Sequence, residues 1–319
     1  MKLMTQTMHE IDVDAHAKLI YDARQNSPLR NSERTIDGIK ESLGQLIEQG
    51  ESHAMIVAQD EDSNALLGQL LMWLEWGEMA ISHPWQPIIH PEANQEEVAV
   101  ALIEHSKTLI KTKNKTRVET WLEIKTDNEE AMSSIFIPWY KKSGFILKAE
   151  EYYMNTPYSR LNELDYSIPA GVDVVSMDEV TNEEIMGSVL ETFRQGSDKW
   201  FISMTESQQE GSARAWFKRD ETFDTDSSIV FIENGKIIGY NVMRIEEGLV
   251  EVGPIGVLPA HRGRGLGRAL LLESTRRLNS KNPETVWLTV STENTSACNL
   301  YSSLGFDNKY RILIYTWMP

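Results

Sequence analysis

The 319-residue sequence contains a single cysteine, Cys298, and no long apolar run. One thiol excludes an intramolecular disulfide framework and is typical of a protein from a reducing compartment. No stretch approaches the roughly 20 apolar residues that cross a membrane, and the first residues lack the apolar core of a signal peptide. We therefore expect a globular, cytoplasmic protein that does not enter a membrane.

Positive charge and metal-binding patterns are also scarce. The formal net charge is −17, shared about equally between the two halves of the chain. This charge argues against binding nucleic acid through its phosphates. The seven histidines are scattered without metal-ligand spacing, so we expect no metal site. Cys298 has no neighbouring histidine that could act as its base, and we interpret it as a small core residue.

The segment from Val250 to Leu278 changes its character twice. It starts as a β-branched, apolar run that stops at Pro259, then passes three glycines at alternate positions, Gly263, Gly265 and Gly267. Apolar residues at helical spacing follow. A strand, a glycine-rich turn and a helix in this order predict a phosphate-binding turn, because free amides and the helix dipole point at an anion. The alternative is an ordinary glycine-rich turn that caps a helix.

Two known kinds of phosphate-binding turn do not fit this segment. A nucleoside-triphosphate loop requires a lysine followed by a hydroxyl residue, and the turn has none. A dinucleotide-binding turn requires a third glycine where Arg268 stands, and its acid about 20 residues on is missing, since Glu293 comes about ten residues too late. What remains is the pattern Arg-Gly-Arg-Gly-Leu-Gly at 262–267. It resembles the acetyl-coenzyme A loop of the GNAT acyltransferase superfamily.

A second motif follows a predicted strand at Val286–Val290. Residues 294–306 read Asn-Thr-Ser-Ala-Cys-Asn-Leu-Tyr-Ser-Ser-Leu-Gly-Phe, which resembles the other GNAT block, Asn-x-x-Ala-x-x-Leu-Tyr-x-x-x-Gly-Phe. We expect Asn294 to open a short helix, Tyr301 to lie on its second turn and Gly305 to end it. Two motifs in the right order are far more specific than one. The sequence is therefore identified as a member of this superfamily.

Both halves of the chain carry the same landmarks. Leu-Leu-Gly-Gln around Gly68 mirrors Ile-Ile-Gly-Tyr around Gly239, and Tyr140 with the following Gly-Phe mirrors Tyr301. The resemblance implies an α/β fold of two tandem GNAT-like domains, each a mixed, mostly antiparallel sheet flanked by helices. We place the first domain at residues 1–156, a linker at 157–170 and the catalytic domain at 171–319. This arrangement resembles the two-domain members of the family.

The two predicted domains are not equivalent. Where the second half has its glycine loop, the first half has Pro-Glu-Ala-Asn-Gln-Glu-Glu at 91–97, without glycine and with three carboxylates. Carboxylates at a helix N-terminus occupy and repel the space that a pyrophosphate needs. We therefore expect the first domain to be degenerate for ordinary coenzyme binding. Tyr140 is interpreted as a packing residue rather than a catalytic one.

The resemblance also implies which residues bind the coenzyme. Its pyrophosphate is expected on the amides of the loop, and its pantetheine arm is expected to run along the preceding strand as though adding a strand. Asn294 commonly contacts the coenzyme in the family, although a helix N-cap is the alternative reading. The expected coenzyme-binding residues are Ile255, Gly256, Val257, Arg262, Gly263, Arg264, Gly265, Leu266, Gly267, Arg268 and Asn294.

Two residues are candidates for proton transfer. The resemblance places Tyr301 where a phenol protonates the departing thiolate. The alternative is a structural role, with a buried ring and a solvent-exposed hydroxyl. Glu251, on the central strand, stands where several family members carry a catalytic glutamate. A carboxylate on an apolar strand is expected to have a raised pKa, as a useful base requires. Its alternative is an outward-facing member of an acidic run.

The sequence thus predicts an acetyl-coenzyme A-dependent N-acetyltransferase that acts by direct transfer. The acceptor would be a primary amine of a small molecule or peptide, and the protein a monomer or homodimer. The aromatic segment Arg194–Asp220 occupies the place that usually helps form the acceptor pocket in the family, and the alternative is that its aromatic residues pack a helix onto the sheet. A non-catalytic coenzyme A sensor or assembly module is the alternative. Transfer to oxygen and use of a longer acyl chain also remain open.

Overall fold

The computed structural model describes residues 1–25, 35–75, 77–82, 87–278, 281 and 283–319. The chain forms two compact units. The first unit consists of Met1–Lys148 together with Ile312–Pro319, and the second unit of Ala149–Arg311.

The first unit contains a sheet with the strand order β1-β2-β3-β4-β6-β13, and β5 pairs with β3. The parallel pair is β4–β6, and β1–β2–β3 is antiparallel. Its strands are β1 (Lys2–Thr7), β2 (His53–Gln59), β3 (Leu66–Trp73), β4 (Met79–Ser82), β5 (Ile88–Ile89), β6 (Arg117–Ile124) and the end of β13 (Asp307–Trp317). Its helices are α1 (Val13–Gln25), α2 (Ile36–Glu48), α3 (Gln95–Ser106), α4 (Thr108–Thr112), α5 (Glu129–Ala131) and α6 (Ile137–Lys142).

The second unit contains a sheet with the strand order β7-β12-β11-β10-β9-β8. Its parallel pair is β11–β12. Its strands are most of β7 (Ile146–Pro157), β8 (Asp173–Ser176), β9 (Ile229–Glu233), β10 (Lys236–Glu246), β11 (Leu249–Val257) and β12 (Thr285–Ser291). Its helices are α7 (Tyr158–Asn162), α8 (Asn182–Arg194), α9 (Lys199–Ile202), α10 (Glu206–Trp216), α11 (Leu266–Arg277) and α12 (Thr295–Ser303).

Each unit is a mixed, mostly antiparallel sheet covered by helices, so the predicted fold class is confirmed. In the second unit α11 packs on one face of the sheet, where Leu266 and Leu270 bury against Phe231. Helix α8 packs on the opposite face, where Val189 joins Tyr240. In the part of the chain that the structure describes, no helix is long and apolar enough to cross a membrane.

The compact units divide the chain differently from the predicted domains. The division falls between Lys148 and Ala149 rather than after residue 156, and the predicted linker contains helix α7 within the second unit. Residues Ile312–Pro319 belong to the first unit, where Tyr315 is a core residue only 3% exposed. Composition along the chain could not reveal this division, because sheet neighbours decide it and they are distant in sequence.

Candidate active site

The sheet of the second unit opens between its two parallel strands. Strands β11 and β12 pair at Leu249–Thr285, Val250–Val286 and Glu251–Trp287, and both strands continue beyond that point. A β-bulge explains the separation. Gly253 and Pro254 of β11 lie between the two register pairs that β10 makes, opposite Val242 alone. The gap that begins after the Glu251–Trp287 pair leaves one edge of β11 available to an extended ligand.

The glycine loop lies at the far end of β11 and leads into α11. Gly263 and Gly265 both have a φ of +78°, in the left-handed region that favours glycine, and a Cβ at either would meet no atom within 4 Å. Gly265 is the N-cap of α11, and no side chain caps that helix. The first amides of α11 therefore have no capping side chain, and the space beside Gly263 and Gly265 is open, which is an arrangement that suits an anion.

The three arginines of this region already have protein partners. Arg262 donates to three backbone carbonyls, those of Val257 at 3.1 Å, Thr192 at 3.2 Å and Gln195 at 3.3 Å. Arg264 forms a bidentate ion pair with Glu233, with N–O distances of 2.6 and 3.0 Å. Arg268 donates to the carbonyl of Asp165 at 3.2 Å. These side chains hold the loop in place, so the backbone amides are left as the groups free to meet an anion.

Tyr301 lies on α12 in a mostly apolar setting. It is 6% exposed and belongs to the cluster that contains Val250, Val252 and Leu288. Burial raises the pKa of its hydroxyl, so the phenol stays protonated at neutral pH. Within the described residues, the structure shows no hydrogen bond from that hydroxyl. A phenol of this kind can donate a proton to a ligand atom.

Glu251 is half-buried on β11, opposite Arg244 of β10 and Trp287 of β12. Burial raises the pKa of its carboxyl group, and the nearby Arg244 acts in the opposite direction. The Arg244 guanidinium donates to Asp220 Oδ1 at 2.8 Å and to the carbonyl of Trp216 at 3.0 Å, among other acceptors. Among the described residues no donor bonds the Glu251 carboxylate, which is therefore available as a base.

Glu251 and Tyr301 approach the gap from opposite faces of the sheet. Successive side chains of a strand point to opposite faces. Val250 and Val252 share the cluster of Tyr301, so Glu251 between them projects from the other face. A group held at the start of the gap would thus have a protonated phenol on one side and a carboxylate on the other. The sequence placed both residues correctly on their elements but did not reveal that they lie on opposite faces of the sheet.

The remaining predicted residues have clear structural roles. Asn294 caps α12, since its Oδ1 accepts from the amide of Ala297 at 3.2 Å, so its N-cap reading is observed, and contact with a coenzyme stays a prediction. Residues 255–257 pair with β10 on one side and line the gap on the other. The thiol of Cys298 is half-buried and its pKa is raised by burial, which favours the inert thiol form.

A segment that overlaps the start of the aromatic segment Arg194–Asp220 connects the two sides of the gap, a role that the sequence did not predict. This bridging segment, Thr192–Lys199, accepts hydrogen bonds from Arg262 near the end of β11. At its other end the carbonyl of Ser197 accepts from Ser291 at the end of β12, at 3.4 Å, and Lys199 pairs with Glu293. The sequence gives little sign of this segment, because its hydrogen-bond acceptors are mostly backbone carbonyls, which every residue has.

The first unit has the same framework with different chemistry. Ile81 pairs with Glu119 where the second unit pairs Glu251 with Trp287. The hydroxyl of Tyr140, the counterpart of Tyr301, lies 3.0 Å from the Ser82 hydroxyl and is fully buried. The first unit therefore has no carboxylate at the position of Glu251, and the hydroxyl of Tyr140 already has a hydrogen-bond partner.

The helix N-terminus of the first unit is also closed. The Oδ1 of Asn94 accepts from the amide of Glu97 at 3.3 Å, and Gln95 donates to the carbonyl of His90 at 2.8 Å. Glu96 pairs with Lys142 beside it. A side-chain oxygen and carboxylates thus stand where α11 presents open amides. Over the ranges that the structure describes, no group of three or more potential ligands could hold a metal ion.

Comparison with known proteins identifies relatives of part of the chain. Residues 191–306 match the model of the acetyltransferase (GNAT) family. The mycothiol acetyltransferase of Streptomyces avermitilis is 32% identical over 100 residues, which are 31% of this chain and 32% of that protein. The mycothiol acetyltransferase of Amycolatopsis mediterranei is 35% identical over 102 residues, which are 29% of this chain and 32% of that protein. The chain thus spans about a third of the length of these curated relatives.

Solved structures share the fold along the whole chain. A GCN5-related N-acetyltransferase from Sphaerobacter thermophilus has a TM-score of 0.62 at 17% identity, covering 99% of this chain and 95% of that one. A tandem GNAT protein from the clavulanic acid biosynthesis pathway has a TM-score of 0.59 at 15% identity, covering 99% and 98%. At such identities the likeness concerns the fold alone. It confirms the predicted fold class, a mixed, mostly antiparallel sheet flanked by helices.

Proposed function

We propose that the second unit, in which residues 191–306 match the model of the acetyltransferase (GNAT) family, transfers an acetyl group from acetyl-coenzyme A to a primary amine. The observation that carries this proposal is the end of β11–β12 pairing at Glu251 and Trp287, with Tyr301 on the other face. The acceptor would be a small molecule or peptide. The relatives named as mycothiol acetyltransferases favour a small-molecule amine.

The donor fits the groups that the second unit leaves free. The uncapped amides of α11 and the open space beside Gly263 and Gly265 suit a diphosphate, and the free edge of Ile255–Val257 suits an extended arm. Bound there, acetyl-coenzyme A would supply the activated acyl carbon and a thiolate leaving group. Loop amides, rather than the engaged side chains of Arg262, Arg264 and Arg268, would carry most of the binding.

The proton transfers follow from the two faces. Glu251 would take a proton from the amine nitrogen as that nitrogen bonds to the acyl carbon. Tyr301 would give its proton to the sulfur as the carbon–sulfur bond breaks, and solvent exchange would restore both groups. Each role matches a pKa direction: burial keeps the phenol protonated and makes the carboxylate a stronger base.

The first unit is proposed to be non-catalytic. It has Ile81 at the position of the base, a phenol bonded to Ser82 and a capped helix in place of the glycine loop. The competing function is a coenzyme A sensor without transfer. The free Glu251 and Tyr301 favour the enzyme, because a sensor has no use for an unpartnered acid and base at the same point.

The test is coenzyme A release with a panel of amines, together with a matched pair of tyrosine variants. Tyr301→Phe is expected to lower kcat at least about tenfold and to change the Kd for acetyl-coenzyme A by less than about twofold. Tyr140→Phe removes the equivalent hydroxyl from the first unit. It should leave kcat unchanged and cost about 1 kcal/mol of stability through the lost Ser82 contact.

Two outcomes would contradict the proposal. Tight binding of acetyl-coenzyme A without turnover of any amine would support the sensor. An unaltered rate in Tyr301→Phe, or an equal loss of rate in Tyr140→Phe, would remove the assigned acid.

A further inference from the structure

The face of the second unit that carries Glu251 holds a row of aromatic side chains. Trp287 stacks on Tyr153 with ring centroids 5.3 Å apart and planes at 22°. Tyr153 stacks in turn on Tyr310, at 4.6 Å and 4°. Glu251 is the register partner of Trp287, so the row ends at the candidate base.

This geometry leaves one face of the Trp287 ring for a ligand. Rings that stack across neighbouring strands stand side by side, each covering one face of the next. Tyr153 covers the face of Trp287 that is turned toward β7, so the opposite face is turned toward β11, where Glu251 lies. Both Trp287 and Glu251 are only half-buried. An indole face beside a carboxylate, at the start of the gap, is a suitable place for an ammonium group.

Three cations of the second unit already have acceptors. Arg244 gives its guanidinium to Asp220, Thr222 and two carbonyls. Lys199 pairs with Glu293, and Arg194 donates to Gln209 at 2.8 Å. A carboxylate on the acceptor would therefore meet Glu251 without a compensating positive charge from these residues, and like charges repel.

From these contacts, and resting on the proposed transfer reaction, we infer that Trp287 and Glu251 form the acceptor subsite and select cationic amines that carry no carboxylate beside the amino group. Trp287 binds the ammonium and its neighbouring carbons against the indole. The ammonium loses one proton to solvent to become the neutral, nucleophilic amine, and Glu251 accepts the second proton as the nitrogen bonds to the acyl carbon. Amino acids with a free α-carboxylate are excluded by charge. Trp287 is thus a specificity residue, and at the same register position the first unit has Glu119.

The test compares amines with the amino acids that differ from them only by the α-carboxylate. The pairs are 2-phenylethylamine and phenylalanine, tryptamine and tryptophan, and cadaverine and lysine. We expect kcat/KM to be at least tenfold higher for the amine in every pair that turns over. Calorimetric titration of each amine in the presence of coenzyme A measures binding independently of turnover.

Substitutions at Trp287 test the ring. Trp287→Ala should raise the KM of the preferred amine at least fivefold, whereas Trp287→Phe should stay within about threefold, since it keeps an aromatic face. Neither should change the Kd for acetyl-coenzyme A by more than about twofold. Trp73→Ala, which truncates a half-buried tryptophan on β3 of the first unit, is the control and should leave the KM of the amine unchanged.

The outcomes separate this inference from the function on which it rests. Amine binding that is lost in Trp287→Ala, without turnover by any variant, would support the subsite and overturn the transfer reaction. Turnover that prefers the amino acids, or that is unaffected by Trp287→Ala, would overturn the subsite and leave the transferase standing. Because the comparison of pairs uses the native protein, a variant that fails to fold does not remove the test.

Discussion

Gly265 offers the sharpest test of the assigned anion site. Its φ of +78° lies in the left-handed region, where a side chain costs about 1–2 kcal/mol per residue. Its ideal Cβ meets no atom within 4 Å, so no clash inside the protein adds to that cost. We therefore expect Gly265→Ala to lower the free energy of unfolding by about 1–2 kcal/mol.

We expect Gly265→Ala to reduce the free energy of coenzyme A binding by more than the free energy of unfolding. If the loop relaxes to relieve the strain, the amides that follow Gly265 turn away from the diphosphate. If the loop does not relax, the new methyl group occupies the open space where the anion would lie. A hydrogen bond to a charged group contributes about 1.5–3 kcal/mol. Loss of one such bond would therefore weaken the Kd for coenzyme A roughly 10- to 100-fold.

Gly248 provides a matched control in the same unit. It has a φ of +81°, also meets no atom within 4 Å as an alanine, and lies in the turn before the opposite end of β11. Gly248→Ala should thus show the same loss of stability in urea unfolding and no change in the Kd measured by calorimetry. Equal affinities for Gly265→Ala, Gly248→Ala and the native protein would refute the anion site.

Two further predictions concern the base and the bridging segment. Glu251→Gln should lower kcat about 100-fold or more, because it removes the base. The same carboxyl also makes stability depend on pH. Burial raises its pKa above the ordinary 4.5, so the charged form destabilises the fold as the pH rises past that value. The variant should therefore be more stable than the native protein at pH 8 and not at pH 4, in thermal unfolding at both; an identical difference at the two pH values would contradict the burial argument. Arg262→Lys should lower the free energy of unfolding by about 1 kcal/mol and speed amide exchange across Thr192–Lys199, and unchanged exchange there would show that Arg262 does not hold the segment.

The sequence predicted those features that depend on local residue identity. Glycines that need a left-handed backbone, an asparagine that caps a helix and apolar residues at helical spacing all act within a few residues of themselves. The loop before α11, the Asn294 cap and the buried face of α11 therefore appear where they were expected. The capped N-terminus of α3 agrees with the interpretation of residues 91–97 for the same reason.

Features that depend on the pairing of strands distant in the chain could not be predicted from the sequence. The end of pairing after Glu251 and Trp287 depends on a bulge between β10 and β11, and the opposite orientation of Glu251 and Tyr301 depends on strand parity across that pair. The contact of the Arg262 side chain with the Thr192 carbonyl of α8 was likewise not predicted, and its contact with the coenzyme stays a prediction. Such carbonyls are present on every residue, so no sequence pattern marks them.

The assignment of Ile312–Pro319 to the first unit has a consequence for how the protein is made. Tyr315 fills part of the core that residues from β2, β3 and α3 begin to build some 200 residues earlier in synthesis. When only residues 1–148 have been translated, the first unit therefore still lacks the end of β13. We expect this unit to stay incomplete, and exposed to chaperones and proteases, until residues 312–319 have been translated.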